Sequence, residues 1–376
     1  MRFKRLPLVG FMKLVLGEHH SLIVREDSSA WSTKLIFRGV VPTNFDKQFK
    51  KMIDYGVKDV AAGNSFSILV KKDESVWGMG RNYKGQLGDG SKLKKENFMY
   101  VQTFAEGVKA LAAGGSHSMI LTQYGRVLAA GFNKHGQLGT GTIADYGKFQ
   151  EVISCGVEAI AAGANHSIIL KQDGSVWATG GNYNGQLGDE SRTDRLSFVE
   201  IFSSDVAEVT AGGSHSMVLK RDGSVWTTGW NKYGQLGDGS TTDRIKYAQV
   251  VSDGATAIAA GSRHSLMLKQ DGSVWATGNN QYGQLGDGSS TRQSCAFKQI
   301  ISVGATIIAA GGFHSMVLKV DGSIWATGYN KYGQYGDGSI TSEKNFVRLA
   351  LFGNGAVHRT ITQVYIWPHL HGSTIA

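Results

Sequence analysis

Residues Ala211–Ser240 read AGGSHSMVLKRDGSVWTTGWNKYGQLGDGS, and this stretch decides the fold. It returns with small changes at Ala162–Ser191, Ala260–Ser289 and Ala310–Ser339, and more loosely at Ala62–Ser91 and Ala113–Thr142. The first glycine of each copy is an anchor: Gly63, Gly114, Gly163, Gly212, Gly261 and Gly311, at steps of 51, 49, 49, 49 and 50 residues. A worn seventh copy precedes them, where Gly17 leads into His20, Ser21 and Trp31. Self-similarity at this period means a solenoid, a propeller or an array.

One unit predicts the architecture. Ala255–Ala260 and Ser265–Leu268 alternate as strands, Asp271-Gly272 follows, and Ser273–Thr277 and Phe297–Ile301 supply a third and a fourth strand. Asp-Gly between two apolar alternations predicts a hairpin with a type I′ turn, which needs positive φ at both central residues. The pair recurs as Asp173-Gly174, Asp222-Gly223 and Asp321-Gly322. Four short antiparallel strands cannot bury their faces singly. Seven such units arranged radially make an all-β, seven-bladed β-propeller of four-stranded antiparallel blades. The expected layout is an N-terminal arm over 1–10, the propeller over 11–351, and a tail over 352–376 whose Val357–Trp367 is a candidate ring-closing strand. Some units depart from the pattern. Phe66 fills the His slot in unit two, and Asp73-Glu74 at its hairpin predicts a different turn there. Leu128 fills the Trp slot in unit three, and Tyr335 replaces the loop leucine in unit seven.

Composition agrees. Glycine is 51 of 376 residues with only 3 prolines, so the excess marks turns and close approaches rather than low complexity. Cys155 and Cys295 sit at non-equivalent places, which argues against a disulfide framework and for a reducing compartment, cytoplasmic or nuclear. The basic, apolar start lacks a small-residue cleavage site, and Lys13 interrupts it; Met12–Ile23 aligns with the repeat and reads as blade rather than signal peptide. No segment has the apolar length of a membrane span. The net charge of +9 permits an acidic partner without naming one.

The residues that recur read as framework. His20, His117, His166, His215, His264 and His314 share one slot, one per unit, which is not metal-ligand spacing. Each is expected to be a half-buried imidazole bonded to a neighbouring strand's backbone. Trp31, Trp77, Trp177, Trp226, Trp275 and Trp325 share another slot, expected to be blade core. The Gln-Leu-Gly loop lacks the Lys-Ser/Thr of a P-loop and the Asp ladder of an EF-hand. No catalytic constellation, metal site, cofactor site or small-molecule substrate site emerges.

The residues that vary are the better functional signal, because equivalent positions that differ are free of the framework's demand. They fall in two loops: the pair before each His (Gly213-Ser214, Ser262-Arg263, Gly312-Phe313) and the long loop (Trp230, Lys232, Tyr233; Arg81, Lys84; Tyr329, Lys331). In an antiparallel blade the first-to-second and third-to-fourth connections leave by the same face, so both loops share one side of the disc and the tight turns the other. A basic residue follows the loop in most units: Lys95, Arg195, Arg244, Arg292 and Lys344, with Lys148 roughly equivalent. Two readings stand open, a solvated rim paired to loop acids such as Asp238 and Asp287, or a basic ring for an acidic protein partner. Arg263, Phe313, Trp230 and Tyr329 complete the candidate partner-binding set.

The AAG-x-x-HS start, the DGSVW hairpin and the loop Asn231–Gly237 recur together over about residues 11 to 351. This unit resembles the regulator of chromosome condensation repeat. The resemblance implies a seven-bladed propeller. For function it implies a range, since one fold hosts many functions: exchange on the GTPase Ran, chromatin binding, ubiquitin-ligase modules, photoreception and enzyme inhibition. The even steps leave no room for the wedge insertion that the exchange factor uses, and the Gly-x-x-His loops lack the tryptophans of the photoreceptor. The expected function is therefore a non-enzymatic protein-binding propeller. Guanine-nucleotide exchange on a Ran-like GTPase and inhibition of an enzyme are the alternatives, with a small GTPase or a chromatin protein as candidate partners.

Overall fold

The structure, a computed structural model, describes residues 11–33 and 48–350. The N-terminal arm and the candidate closing strand Val357–Trp367 lie outside them. The described residues form seven four-stranded antiparallel sheets, each from consecutive strands. Numbered by sequence, the blades span 11–53, 57–103, 108–153, 157–202, 206–251, 255–301 and 305–348. In each, the first strand, such as Val206–Ala211, is innermost, and the fourth, such as Arg244–Val251, forms the rim.

The core lies between blades. Seven apolar clusters each join two neighbours; Ile168, Leu170 and Val176 of blade 4, for example, pack on Val206, Val209 and Val218 of blade 5. The ring closes by the same device, with Leu14, Ile23 and Phe49 of blade 1 against Met316, Leu318 and Tyr335 of blade 7. Blade 1 also donates Phe49 N–H to the Gly336 carbonyl at 3.0 Å. Single sheets this small expose both faces, so burial comes only from the neighbour.

The hairpin turns correct one expectation. In blade 4, Gly174 N–H bonds the Lys171 carbonyl at 3.0 Å, and Lys171 N–H bonds the Ser175 carbonyl at 2.9 Å. Gly174 has φ 83°, while Asp173 is absent from the residues at positive φ. This is a type I turn closed by a left-handed glycine, not type I′. Asp173 earns its place through its side chain, which accepts the Ser175 N–H at 2.8 Å. The turn in blade 2, expected to differ, is the same one: Glu74 takes the left-handed slot at φ 63° and bonds Lys71 at 2.9 Å.

The histidine slot is also corrected. All six imidazoles are buried, and each bonds a serine hydroxyl of the next blade rather than backbone. His117 reaches Ser167 at 2.9 Å, His215 reaches Ser265 at 2.9 Å, and His314 closes the ring onto Ser21 at 3.1 Å. Ser167 in turn donates to the Gln137 carbonyl at 2.6 Å. A hydroxyl has one proton, so the imidazole Nε2–H is the donor to serine. Burial lowers these histidines from 6.5 to about 3 or 4, so they are neutral. The anchor glycine makes room for the ring: a Cβ on Gly212 would stand 2.3 Å from His215 Cε1 and 2.5 Å from the Gly261 carbonyl. Phe66 is buried in the same slot without the bond.

The tryptophans are half-buried rather than core. Each ring donates Nε1–H to the hairpin serine, as Trp226 does to Ser224 at 3.0 Å, and is covered by a lysine; all but Trp325 pack on a junction cluster, as Trp226 does between blades 4 and 5. Lys171 sits 3.8 Å from the Trp177 ring centre and Lys220 4.6 Å from that of Trp226.

Candidate functional site

On the other face, the long loops are held rigid by their own side chains. Asn182 Oδ1 accepts the Leu187 N–H at 3.0 Å while its Nδ2 donates to Asp189 at 2.8 Å, and Gln186 accepts the Asn184 N–H at 3.0 Å. Gly188 (φ 76°) lies where a Cβ would be 2.4 Å from the Tyr247 ring of the next blade. Loop and blade are thus locked together, and this geometry repeats in blades 2 to 7. At the axis the seven anchor glycines line a cavity of about 560 Å³. Both variable loops open onto it, with Trp230, Arg263 and Phe313 on one side and Asn64, Tyr183 and Asn184 on the other.

The recurring basic residues occupy the rim. Arg195 pairs with Asp189 at 2.6 Å, Arg244 with Asp238 at 2.5 Å, and Lys95 with Asp89 at 3.2 Å, each within its own loop. Burial pushes the Asp189 carboxyl up, but hydrogen bonds from Ser191, Arg195 and Asn182 outweigh it and hold it below the usual range. Arg292 and Lys344 fall out of register. Gly180 and Gly229 pair with Arg195 and Arg244, whereas their counterparts Gly278 and Gly328 pair with Ser294 and Glu343. Arg292 is exposed in the loop, and Lys344 bonds Ser290 at 3.0 Å. The rim is thus a set of loop clamps in blades 2, 4 and 5 with two further cations beside it.

The inner part of the face divides in two. Across blades 2 to 5, loop residues contact an aspartate of the next blade: Lys84 pairs with Asp145 at 3.7 Å, His135 Nδ1–H donates to Asp194 at 2.8 Å, and Arg192 pairs with Asp243 at 3.8 Å. The same aspartates also cap their own loops, as Asp194 accepts the Asn182 N–H at 2.8 Å. Across blades 5 to 7 this device is gone. The capping position holds Arg292, whose carbonyl takes the Asn280 N–H at 2.7 Å, and then Ser342, whose hydroxyl takes the Asn330 N–H at 3.0 Å. The loop tips are Tyr233, Tyr282 and Tyr332.

There the aromatic residues make an arc in two parts. Trp230 meets Tyr233 at 5.4 Å, Tyr282 meets Phe313 at 5.5 Å and Tyr329 at 4.8 Å, Tyr329 meets Tyr332 at 5.6 Å, and His19 of blade 1 ends the series at 5.9 Å. Arg263 joins its two parts, 5.6 Å from Trp230, 5.4 Å from Tyr233 and 5.6 Å from Phe313. So the structure brings Trp230, Arg263, Phe313 and Tyr329 together and leaves Arg195, Arg244 and Lys95 paired at the rim. Tyr282, Tyr332 and His19, and the capping aspartates, were not singled out from sequence. The signal was available: two residues after the loop asparagine the chain reads Lys84, His135, Asn184, Tyr233, Tyr282 and Tyr332. Among the described residues no group of three His, Cys, Asp or Glu side chains could hold a metal, and no helix is long and apolar enough to cross a membrane.

Known proteins share this architecture. Human WBSCR16 superimposes with a TM-score of 0.74 at 23% identity, covering 81% of this chain and 84% of that one. Prp20p from Saccharomyces cerevisiae gives 0.73 at 21% identity, covering 93% and 87%. Both likenesses show the fold alone. Protein RCC2 of mouse is 42% identical over 67 residues, which is 18% of this chain and 13% of that relative's length. The family profile described as the RCC1-like domain matches residues 2–252. The regulator of chromosome condensation (RCC1) repeat matches 255–284 and 305–334, and a second profile of that repeat matches 271–318. With the domain matched over 2–252 and its repeat continued to 334, the chain belongs to the RCC1-like domain family.

Proposed function

We propose that this chain is a non-enzymatic protein-binding propeller that docks partners on its loop face. The observation that carries the reading is the cluster of Trp230, Arg263 and Phe313 lining the axial cavity, with Tyr282 packed on Phe313, on loops locked by side-chain bonds. Trp, Tyr and Arg are the residues that dominate binding energy at interfaces, and a rigid support lowers the ordering cost of docking. The recurring histidines do not compete with it, since each is buried and neutral at a blade junction. The opposite face carries tight turns and lysines already stacked on tryptophan.

The partner class follows as a proposal from relatives. The Prp20p structure is described with binding to Gsp1p and histones. A small GTPase or a chromatin protein, met in nucleus or cytoplasm, is the partner class we infer for this chain. Exchange on a Ran-like GTPase is the rival, catalytic reading. The test is affinity capture with wild type, with Trp230→Ala/Tyr282→Ala, and with the turn-face control Lys171→Glu/Lys220→Glu/Lys319→Glu. Partners should be lost from the first variant and kept by the second. Stopped-flow release of labelled nucleotide from Ran should be unchanged by micromolar protein; acceleration by about a hundredfold, about 2.7 kcal/mol off the release barrier, would establish exchange instead.

A further inference from the structure

We propose that the aromatic half of the loop face, centred on Arg263, binds an acidic peptide segment of a partner protein. The proposal rests on the reading of the loop face as a docking surface and narrows it to one half and one chemistry. Arg263 bonds the Tyr233 hydroxyl at 3.3 Å and lies against three rings, so among the described residues its charge meets rings and a phenol rather than a carboxylate. The loop tips beside it add Lys232, Arg292 and Lys331, all exposed, and the stretches 230–233, 279–282 and 329–332 contain no acid. On the other half, Lys84, His135 and Arg192 are answered by Asp145, Asp194 and Asp243. The two chemical changes coincide: where the capping aspartate becomes Arg292 or Ser342, the tip becomes tyrosine. The result is one positive, partly apolar arc beside a half where Lys84, His135 and Arg192 meet aspartates, Lys134 stays exposed and Arg81 lies on the Tyr83 ring.

The arc's chemistry selects the occupant. A guanidinium fixed by flanking rings presents its remaining donors as a planar fork, which matches a carboxylate in two hydrogen bonds. The flanking rings offer apolar contact to the rest of the segment. A second copy of this chain fits badly, because a two-fold contact on this face would set Arg263 and its lysines against themselves. Single-stranded nucleic acid needs open ring faces and a continuous positive track. Here the rings meet edge to face, Trp230 on Tyr233 at 87° and Tyr329 on Tyr332 at 74°, and the track ends at the paired half.

The test uses fluorescein-labelled dodecapeptides (Glu-Glu-Tyr)4, (Gln-Gln-Tyr)4 and (Lys-Lys-Tyr)4 and a dodecamer of uridylate, titrated into the full chain by anisotropy. The acidic peptide should bind at least about tenfold tighter than the other three, and Arg263→Gln should weaken it by about tenfold or more, the range of a lost charged hydrogen bond. Arg263→Lys, which keeps charge and loses the planar fork, should fall between. Lys84→Gln/His135→Gln should change it by less than about twofold, the small effect of an exposed pair. Unfolding midpoints show that each variant is folded. Equal affinity for the acidic and glutamine peptides, tighter binding of uridylate, indifference to Arg263→Gln, or no binding of the acidic peptide at millimolar concentration each overturns the proposal. A captured partner that is released by Lys84→Gln/His135→Gln and kept by Arg263→Gln would sink the arc while leaving the loop face as the docking surface.

Discussion

The half of the loop face formed by blades 2 to 4 and the half formed by blades 5 to 7 stand on the same backbone. Both have the Asn-centred loop, the buried Gln and the left-handed glycine beside the next blade's ring. In the first half the tips Lys84 and His135, and Arg192 beside the tip Asn184, find an aspartate on the next blade. In the second they end in rings that find each other and Arg263. The difference separates what a repeat must conserve to close a ring from what it is free to spend on recognition. Stability lives at the junctions, which both halves share; specificity lives at tips that differ.

The largest expected effect concerns the shared part and should not distinguish the halves. Six histidines with folded values near 3 or 4 take up protons only on unfolding, where the value returns to 6.5. Their contribution is complete above the unfolded value and is lost as pH falls from 6.5 toward 4. Each adds a slope of about 1.4 kcal/mol per pH unit in that window. Glu208, raised by burial to about 8, works in the opposite sense, one group against six. Urea midpoints should therefore drop steeply below pH 6, and a flat profile from pH 7 to 4.5 would refute the junction account.

Next in size is the exchange of a single junction residue. His264→Ala should cost about 3 kcal/mol, as a large-to-small core change. His264→Phe should cost no more than about 1.5 kcal/mol, one hydrogen bond, because Phe66 already fills the slot and Ser118 beside it still donates to the Gln86 carbonyl at 2.6 Å. His117→Phe in the other half should match it within error in chemical denaturation. Equal costs for Ala and Phe would mean that the slot is not shaped for a ring.

On the turn face, Trp226→Ala should cost about 2 kcal/mol, less than a full core truncation because the ring is half-buried. Lys220→Ala should cost about 0.5–1 kcal/mol through the lost stacking. A loss above about 4 kcal/mol for Trp226→Ala would restore the expectation of a core residue.

The smallest stability effect is the one that converts one half into the other. Tyr233→Lys with Arg292→Asp rebuilds the Lys84–Asp145 arrangement between blades 5 and 6. Exposed pairs contribute about 0–1 kcal/mol, so the midpoint should barely move. Affinity for the acidic dodecapeptide should nonetheless fall by about tenfold, since a donor is answered from within. A variant that keeps full affinity would show that the arc does not depend on its missing aspartates.

Much of the molecule was legible in one dimension. Blade number, strand order and the sharing of one face by both variable loops follow from the period and from antiparallel pairing, because each unit repeats the same local instructions. Local chemistry was read less well. Asp173 pointed to a turn with two positive φ values, yet its carboxylate holds a type I turn in which only Gly174 is left-handed. The histidine slot was seen, but its partner was not, since Ser167 lies 50 residues from His117. Arg292 was matched to Arg244 by its charge, although counting from the loop asparagine sets it opposite Asp243, and strand pairing gives Arg244's place to Ser294.

By itself the sequence determined the repeat, the all-β class, the seven blades and the hairpin and loop of each, since these depend on residues close along the chain. Tertiary structure decided the angular neighbours: which hydroxyl takes each imidazole proton, which loop cations are answered, and that Arg263 falls between Trp230 and Phe313. Those contacts form between blades about one repeat apart, where position within a unit says what is equivalent but distance and side-chain direction decide what touches.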